Sequence, residues 1–230
     1  MDNLHDKRFP GESEQYRNSR TQLLEAEIEL RRNNEKVAEL RRKLPIGGKI
    51  KEDYVLEELN SEGKIKRTKL SELFASGKDT LIIYSYMYGP ELEKPCPSCT
   101  SIMDGLDGMI FHVNNRINFV MVTKSPINKM KKWAVSREWK NLRMLSSNKN
   151  SYNTDYFAED EKGNQLPALN VFRKTQEGIF HFYNTETLYA PSDKDQNPRH
   201  VDMIWPIWNL FDLTPEGRGK DWYPQYSYEE

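Results

Sequence analysis

Hydrophobic positions along this chain change their period several times, and each change marks an element. From residue 12 to 44 there is neither Gly nor Pro, and Tyr16, Leu23, Leu24, Ile28, Val37, Leu40 and Leu44 recur at helical spacing among dense charges of both signs. This predicts a long helix with Ser13 as its N-cap and with Pro45, Gly47 and Gly48 ending it. Its apolar stripe fits either packing on the domain body or a contact between two copies in a homodimer; no heptad is sustained well enough for a coiled coil. After the glycine pair, residues 49–59 and 65–68 read as short strands joined by the turn Asn60-Ser61-Glu62-Gly63, and 70–74 as a helical turn. Residues 80–88 (TLIIYSYMY) form a run of β-branched and aromatic side chains that predicts a buried strand.

A loop with Gly89, Pro90 and Pro95 follows, and then residues 96–115 read as a helix with Ile102, Leu106, Met109, Ile110 and Val113 on one face. Residues 116–123 read as a second buried strand, 127–139 as a helix and 142–146 as a third strand. The stretch 148–165 is polar and loop-like, 169–173 and 179–183 form a hairpin, and 201–211 is an aromatic-rich helix interrupted or started by Pro206. The Gly/Pro-rich tail, 213–228, is expected to lie over the body. Alternating strands and helices with a terminal hairpin predict an α/β fold, a central mixed sheet with helices on both faces. The expected division is a helical extension over 1–48 and an α/β domain over 49–230.

Composition narrows the function classes. The 230 residues suffice for a real core. Lys plus Arg number 34 against 35 Asp plus Glu, so no basic footprint for nucleic acid or an anionic membrane stands out. The apolar runs are strand-length, short of the roughly 20 residues a spanning helix needs. Residues 1–10 are polar, read as a frayed end and lack the apolar stretch of a secretory signal. A soluble, cytoplasmic protein is expected.

The two cysteines, Cys96 and Cys99, are too few for a disulfide scaffold, and they stand two residues apart. Cys96-Pro97-Ser98-Cys99 follows a buried strand and opens a helix, the context a redox CxxC requires. Free N–H groups at a helix start favour a thiolate, so Cys96 is the more acidic thiol, below the free value of about 8.5. Pro97 fits the first helical turn, where a missing N–H costs nothing, and Ser98 completes the turn. Cys99 lies one helical turn on, on the same face. This points to thiol–disulfide exchange with a protein or small-molecule partner, Cys96 as nucleophile, Cys99 as resolving thiol, and no metal or organic cofactor. One competing reading is half of a zinc site in a non-catalytic scaffold, recruiting His112, His181 or His200; another is a pair of inert cysteines.

The chain also resembles a family. Besides CPSC and the CTSIMDGLDG that overlaps it, the segments RFPGESEQYRNSR, LRRKLPIGGKIKEDYVL, LSELFASGKDTLIIYSYMYGP, SREW and RHVDMIWPIWNLFDLTPEGRGKDWYP resemble the bacterial thioredoxin-like family catalogued as domain of unknown function 899. Its members are often labelled dithiol–disulfide oxidoreductases. The resemblance runs almost end to end and implies a thioredoxin-like fold with an added N-terminal helix. That fold usually sets a cis-proline beside the CxxC, and Pro167, just before a predicted strand, is the candidate, with an ordinary trans proline as the alternative. Thiol peroxidases share the fold, but their P-x-x-x-T-x-x-C motif is missing: Glu93 stands three residues before Cys96, and Cys96 itself three before Cys99.

Other features read more plainly. Tyr84, Tyr86 and Tyr88 alternate and so share one sheet face near the site, as core or as substrate contacts. Asp104 and Asp107 are expected to be solvated, Trp205, Trp208 and Phe211 to be core, and Arg218 to pin the tail to an internal carboxylate.

Overall fold

The computed structural model describes residues 4–228, so the first three residues of the expected frayed end lie outside it. The chain divides into two compact units, Met1–Pro45 and Ile46–Glu230. In the first, helix α1 spans Glu14–Arg42, and the Ser13 hydroxyl accepts from the Tyr16 N–H at 3.1 Å. Glu14 in its first turn and Arg41 and Arg42 in its last complement the helix dipole. No residue of α1 is buried.

The second unit is built on a seven-stranded mixed sheet. Its strands are β1 (Val55–Leu59), β2 (Ile65–Lys69), β3 (Thr80–Tyr86), β4 (Asn118–Thr123), β5 (Met144–Ser146), β6 (Ala168–Thr175) and β7 (Gly178–Asn184), in the order β2-β1-β5-β4-β3-β6-β7. Its helices are α2 (Pro97–Asp107), α3 (Ile110–Arg116), α4 (Ile127–Ser136), α5 (Tyr152–Asp155) and α6 (Pro206–Phe211). Strands β3, β4 and β5 are parallel, whereas β6 runs antiparallel to β3 and turns back as β7. A parallel pair linked through helix, then an antiparallel hairpin and a helix, in the order β4-β3-β6-β7, is the core of the thioredoxin fold. Strands β5, β1 and β2 widen the sheet on the β4 side.

Helices lie on both faces, but unequally. The chain steps from β3 to β4 to β5 in one direction, and right-handed crossovers then return on the same side. Residues of α2, α4 and α6 accordingly share one apolar cluster with Tyr84, Tyr86, Phe119, Met121 and Leu169. Strand alternation sends Leu81, Ile83, Val120 and Val122 to the other face. There they meet Leu70 and Leu73 of a 3-10 turn, Tyr54, and Tyr152 of the short helix α5.

Three expected elements take a different form. The helix expected over 96–115 breaks after Asp107, and its second part restarts as α3. Gly105 and Gly108 are poor helix formers, and the Asp107 carboxylate accepts from the N–H groups of Lys140, Asn141 and Leu142 at 2.9–3.1 Å. The helix expected over 201–211 is a 3-10 turn, Asp202–Ile204, followed by α6; Pro206 has no N–H to continue a ladder. The loop over 148–165 contains α5.

Asp104 is exposed and Asp107 only part-buried, as expected, and both also act as clamps. Asp104 accepts from Trp139 Nε1 at 2.8 Å and Arg137 Nε at 3.2 Å. Trp205 and Trp208 are core as expected, and Arg218 holds Asp202 and Asp212 at 2.6 and 2.7 Å. Partial burial works against ionisation of Asp107, but the three N–H donors and the Asn141 side chain outweigh it and hold its pKa below the usual carboxylate value. Asp107→Ala is expected to lower the unfolding free energy by about 1–3 kcal/mol, read from the urea midpoint at neutral pH. Because the folded-state pKa is depressed, the wild-type advantage is full above about pH 4 and fades as pH falls through the folded value. Equal midpoints at neutral pH would contradict the clamp.

Candidate functional site

Strand β3 delivers the chain to the site, and a stitched loop turns it back. After Tyr86 the backbone leaves the sheet and returns at Cys96, whose N–H donates to the Met87 carbonyl at 2.9 Å. The Tyr88 hydroxyl donates to the Glu93 carbonyl at 3.0 Å, and Ser125 Oγ to the Gly89 carbonyl at 2.9 Å. Lys129 Nζ donates to the Pro90 carbonyl at 2.7 Å and lies 4.9 Å from the centre of the Tyr88 ring. A loop held at so many points gives Cys96 a fixed position.

Cys96 is the N-cap of α2, with extended backbone (φ −64°, ψ 127°), and Pro97 begins the helix. The Cys99 N–H points at Cys96 Sγ at 3.5 Å. The cysteines are in the dithiol form; Cys96 is half-buried and Cys99 buried. The hydrogen bond from the Cys99 thiol does most to stabilise a Cys96 thiolate; burial opposes it, and the Cys99 and Ser98 N–H groups and the Ser98 hydroxyl reinforce it. The Cys96 pKa is pulled down to about 6. Burial pushes the Cys99 thiol well above its usual value, and the neighbouring Cys96 sulfur adds to that, against the Tyr84 hydroxyl and the Met87 N–H. At neutral pH the pair thus divides into one thiolate and one thiol.

The alternating tyrosines do lie on one face, but they are more than packing. Tyr84 donates its hydroxyl to Cys99 Sγ at 3.2 Å. Thr100 Oγ1 donates to the Cys96 carbonyl at 2.9 Å, so the Tyr86 hydroxyl, 2.7 Å from that oxygen, is the donor there. Tyr88 holds Glu93, as above. The sequence carried a usable signal: three hydroxyls on an apolar face each require a partner. Tyr226 carried none. Its hydroxyl donates to the Pro95 carbonyl, its ring stands 5.1 Å from Trp133, and its carbonyl accepts from Arg137 at 2.7 Å, so the tail reaches the residue before Cys96.

The two cysteines line different cavities. Cys96 lines a cleft of about 590 Å³ with Met87, Leu92, Lys124 and Gln165. Cys99 lines a chamber of about 220 Å³ with Tyr84, Met87, Pro167 and His200. Pro167 therefore shares a cavity with Cys99, and every described peptide bond, including its own, is trans. The histidines do not converge on the sulfurs. His112 is exposed on α3, and His181 stacks on Tyr156 away from the CxxC; only His200 shares a cavity with Cys99. Among the described residues no group of three or more His, Cys, Asp or Glu side chains could hold a metal ion. No helix there is long and apolar enough to cross a membrane.

Residues 7–229 match the family described as "Bacterial protein of unknown function (DUF899)". The chain belongs to this family. No curated protein matches this DUF899 chain. Among solved structures it is similar to reduced Prx3 of Vibrio vulnificus in complex with H2O2, at 13% identity and TM-score 0.44, over 67% of this chain and 92% of that one. It is similar also to thioredoxin peroxidase I of Plasmodium yoelii, at 15% identity and TM-score 0.46, over 81% and 100%. AhpC of Enterococcus faecalis matches at 14% and 0.45, over 78% and 98%. For the DUF899 chain the fold assignment rests on its own strand order and connections.

Alkylation of the folded DUF899 protein should separate the two sulfurs. The rate at Cys96 is expected to rise with pH through a midpoint near 6 and then level off, since only the thiolate reacts. Cys99 should lag throughout. Peptide-resolved mass spectrometry checks both, and a fast site at Cys99, or a midpoint in the ordinary thiol range, contradicts the assignment.

Proposed function

We propose that this chain is a dithiol–disulfide oxidoreductase working by thiol–disulfide exchange at the CPSC turn. One observation carries the reading: a half-buried sulfur at a helix start accepts from the Cys99 N–H at 3.5 Å, with a second, buried thiol three residues on, an environment that pulls the Cys96 pKa down to about 6. A low-pKa thiol beside a resolving thiol is what exchange chemistry requires.

In the reducing direction the Cys96 thiolate attacks one sulfur of a substrate disulfide. A Cys96–substrate bond forms, the substrate S–S bond breaks, and the departing thiolate takes a proton from solvent. Cys99 then loses its proton to solvent and attacks Cys96 Sγ, forming the Cys96–Cys99 disulfide and releasing the second substrate thiolate. Two electrons pass from the protein dithiol to the substrate, and a thiol donor, of low molecular weight or carried by a protein, restores the dithiol. Pro97 and Ser98 set the geometry of the turn, and Pro167 lines the chamber of Cys99.

Reduction of insulin disulfides by dithiothreitol tests this. The wild type is expected to accelerate it, Cys96→Ser to abolish the acceleration, and Cys99→Ser to accumulate a mixed disulfide on Cys96 visible by mass spectrometry. A Cys96→Ser variant as active as the wild type contradicts the reading.

A further inference from the structure

A buried phenol needs a hydrogen-bond acceptor, and Tyr84 uses a sulfur atom. Its side chain is fully buried on β3, a strand paired on one side with β4 (Tyr84 opposite Met121) and on the other with β6 (Tyr84 opposite Leu169). A ring gripped by two neighbouring strands and an apolar cluster has little room to turn. Its hydroxyl donates to Cys99 Sγ at 3.2 Å, and the Cys99 N–H in turn donates to Cys96 Sγ at 3.5 Å. Tyr86 and Tyr88 hold the cysteine turn through Thr100 and Glu93, so within that row Tyr84 is the one in contact with a reacting atom.

We infer that Tyr84 is the positioning residue of the dithiol: its hydroxyl keeps a donor on the Cys99 sulfur while that sulfur is thiol or thiolate, and so makes the Cys96–Cys99 disulfide easier to reduce. This rests on the exchange reading above and deepens it by naming what tunes the pair.

The argument follows the acceptor strength of the sulfur. A thiol sulfur accepts weakly and a thiolate strongly, because hydrogen bonds to an ionised partner are about twice as strong as neutral ones. A disulfide sulfur is a poor acceptor. The O–H donor of Tyr84 therefore stabilises the reduced forms more than the disulfide. When a donor thiolate attacks Cys96 of the disulfide, the Cys96–Cys99 bond breaks, and Cys99 departs with the electron pair and takes a proton from solvent. A second donor thiolate then attacks the mixed disulfide, releasing Cys96 as thiolate and the donor as its own disulfide. Tyr84 surrenders no proton in either step. Burial and the nearby sulfurs raise its pKa well above the usual value, so it acts as a fixed donor rather than an acid.

The charged and imidazole side chains of the Cys99 chamber do not reach the sulfur as donors. Arg199 pairs with Asp202 and Asp212, and Asp202 is also held by Arg218. The ring nitrogens of His200 are buried without a hydrogen bond, and burial lowers its pKa, so it stands neutral. Besides Tyr84, the Met87 backbone N–H also favours the charged form of the Cys99 sulfur.

Tyr84→Phe keeps the ring and removes the donor. Tyr54→Phe is the control, since Tyr54 is an equally buried phenol whose hydroxyl serves Asp155 on the opposite face. Wild type and both variants are equilibrated with glutathione redox buffers, quenched in acid, alkylated and read as the disulfide fraction by mass spectrometry. Tyr84→Phe is expected to shift the equilibrium about fivefold toward the disulfide, the worth of one modest hydrogen bond, with Tyr54→Phe unchanged. An unchanged equilibrium in Tyr84→Phe, a shift toward dithiol, or an equal shift in Tyr54→Phe overturns the inference and leaves exchange standing. A wild type that forms no reversible Cys96–Cys99 disulfide overturns exchange itself. The wild type offers a readout that needs no variant: oxidation should weaken the Tyr84 hydrogen bond and change the ultraviolet Raman bands of a buried tyrosine, and unchanged bands overturn the inference.

Discussion

The pairing of Cys96 and Cys99 at the first turn of α2, with the Cys99 N–H donating to Cys96 Sγ at 3.5 Å, is the constraint around which this unit is arranged. It requires two side chains one helical turn apart to point the same way at the first turn of a helix, and that helix to stay still. Each neighbouring element contributes to this. The loop after β3 is tied by Lys129, Ser125 and Tyr88, and Tyr86 reaches Thr100. The far end of α2 is fastened by Asp104 and Asp107 to the segment that follows α4. Tyr226 closes the arrangement from the tail by holding the Pro95 carbonyl. These bonds are individually modest; what they produce together is a first helical turn with little freedom to reorient.

Burial then separates the roles of two chemically identical groups. Cys96 is half-buried at the edge of a cleft, where N–H groups and a thiol outweigh the cost of partial desolvation. Cys99, three residues on, is covered on the sheet side by Tyr84, and its charged form is disfavoured by the same burial that packs the core. The sulfurs open onto separate cavities with Met87 as a shared wall. A partner entering the cleft therefore meets Cys96 before Cys99.

Much of this was legible in the sequence, and the reasons are local. Strand β3 declares itself through Thr80, Ile82, Ile83, Tyr84 and Tyr86, five residues of high β propensity among its seven, and β4 through the apolar run Phe119–Val122. The hairpin of β6 and β7 has a turn at Gly178, which takes φ +132°. The CPSC turn was readable because a strand precedes it and an apolar helical face follows it. What escaped was decided across the chain. The break after Asp107 depends on three N–H groups more than thirty residues away. The Tyr84–Cys99 contact depends on the height at which α2 crosses the sheet, and the approach of Tyr226 to Pro95 spans most of the domain. Periodicity gives a side chain its face, while its partner is set by tertiary packing.

The central claim is best tested by titrating the thiolate of Cys96 through its ultraviolet absorbance in the wild type and in Cys99→Ala. If the Cys99 thiol is the main support of the Cys96 thiolate, the wild type titrates near 6 and the variant moves up toward the ordinary thiol range. Coincident curves, or a wild-type midpoint already in that range, would contradict the account.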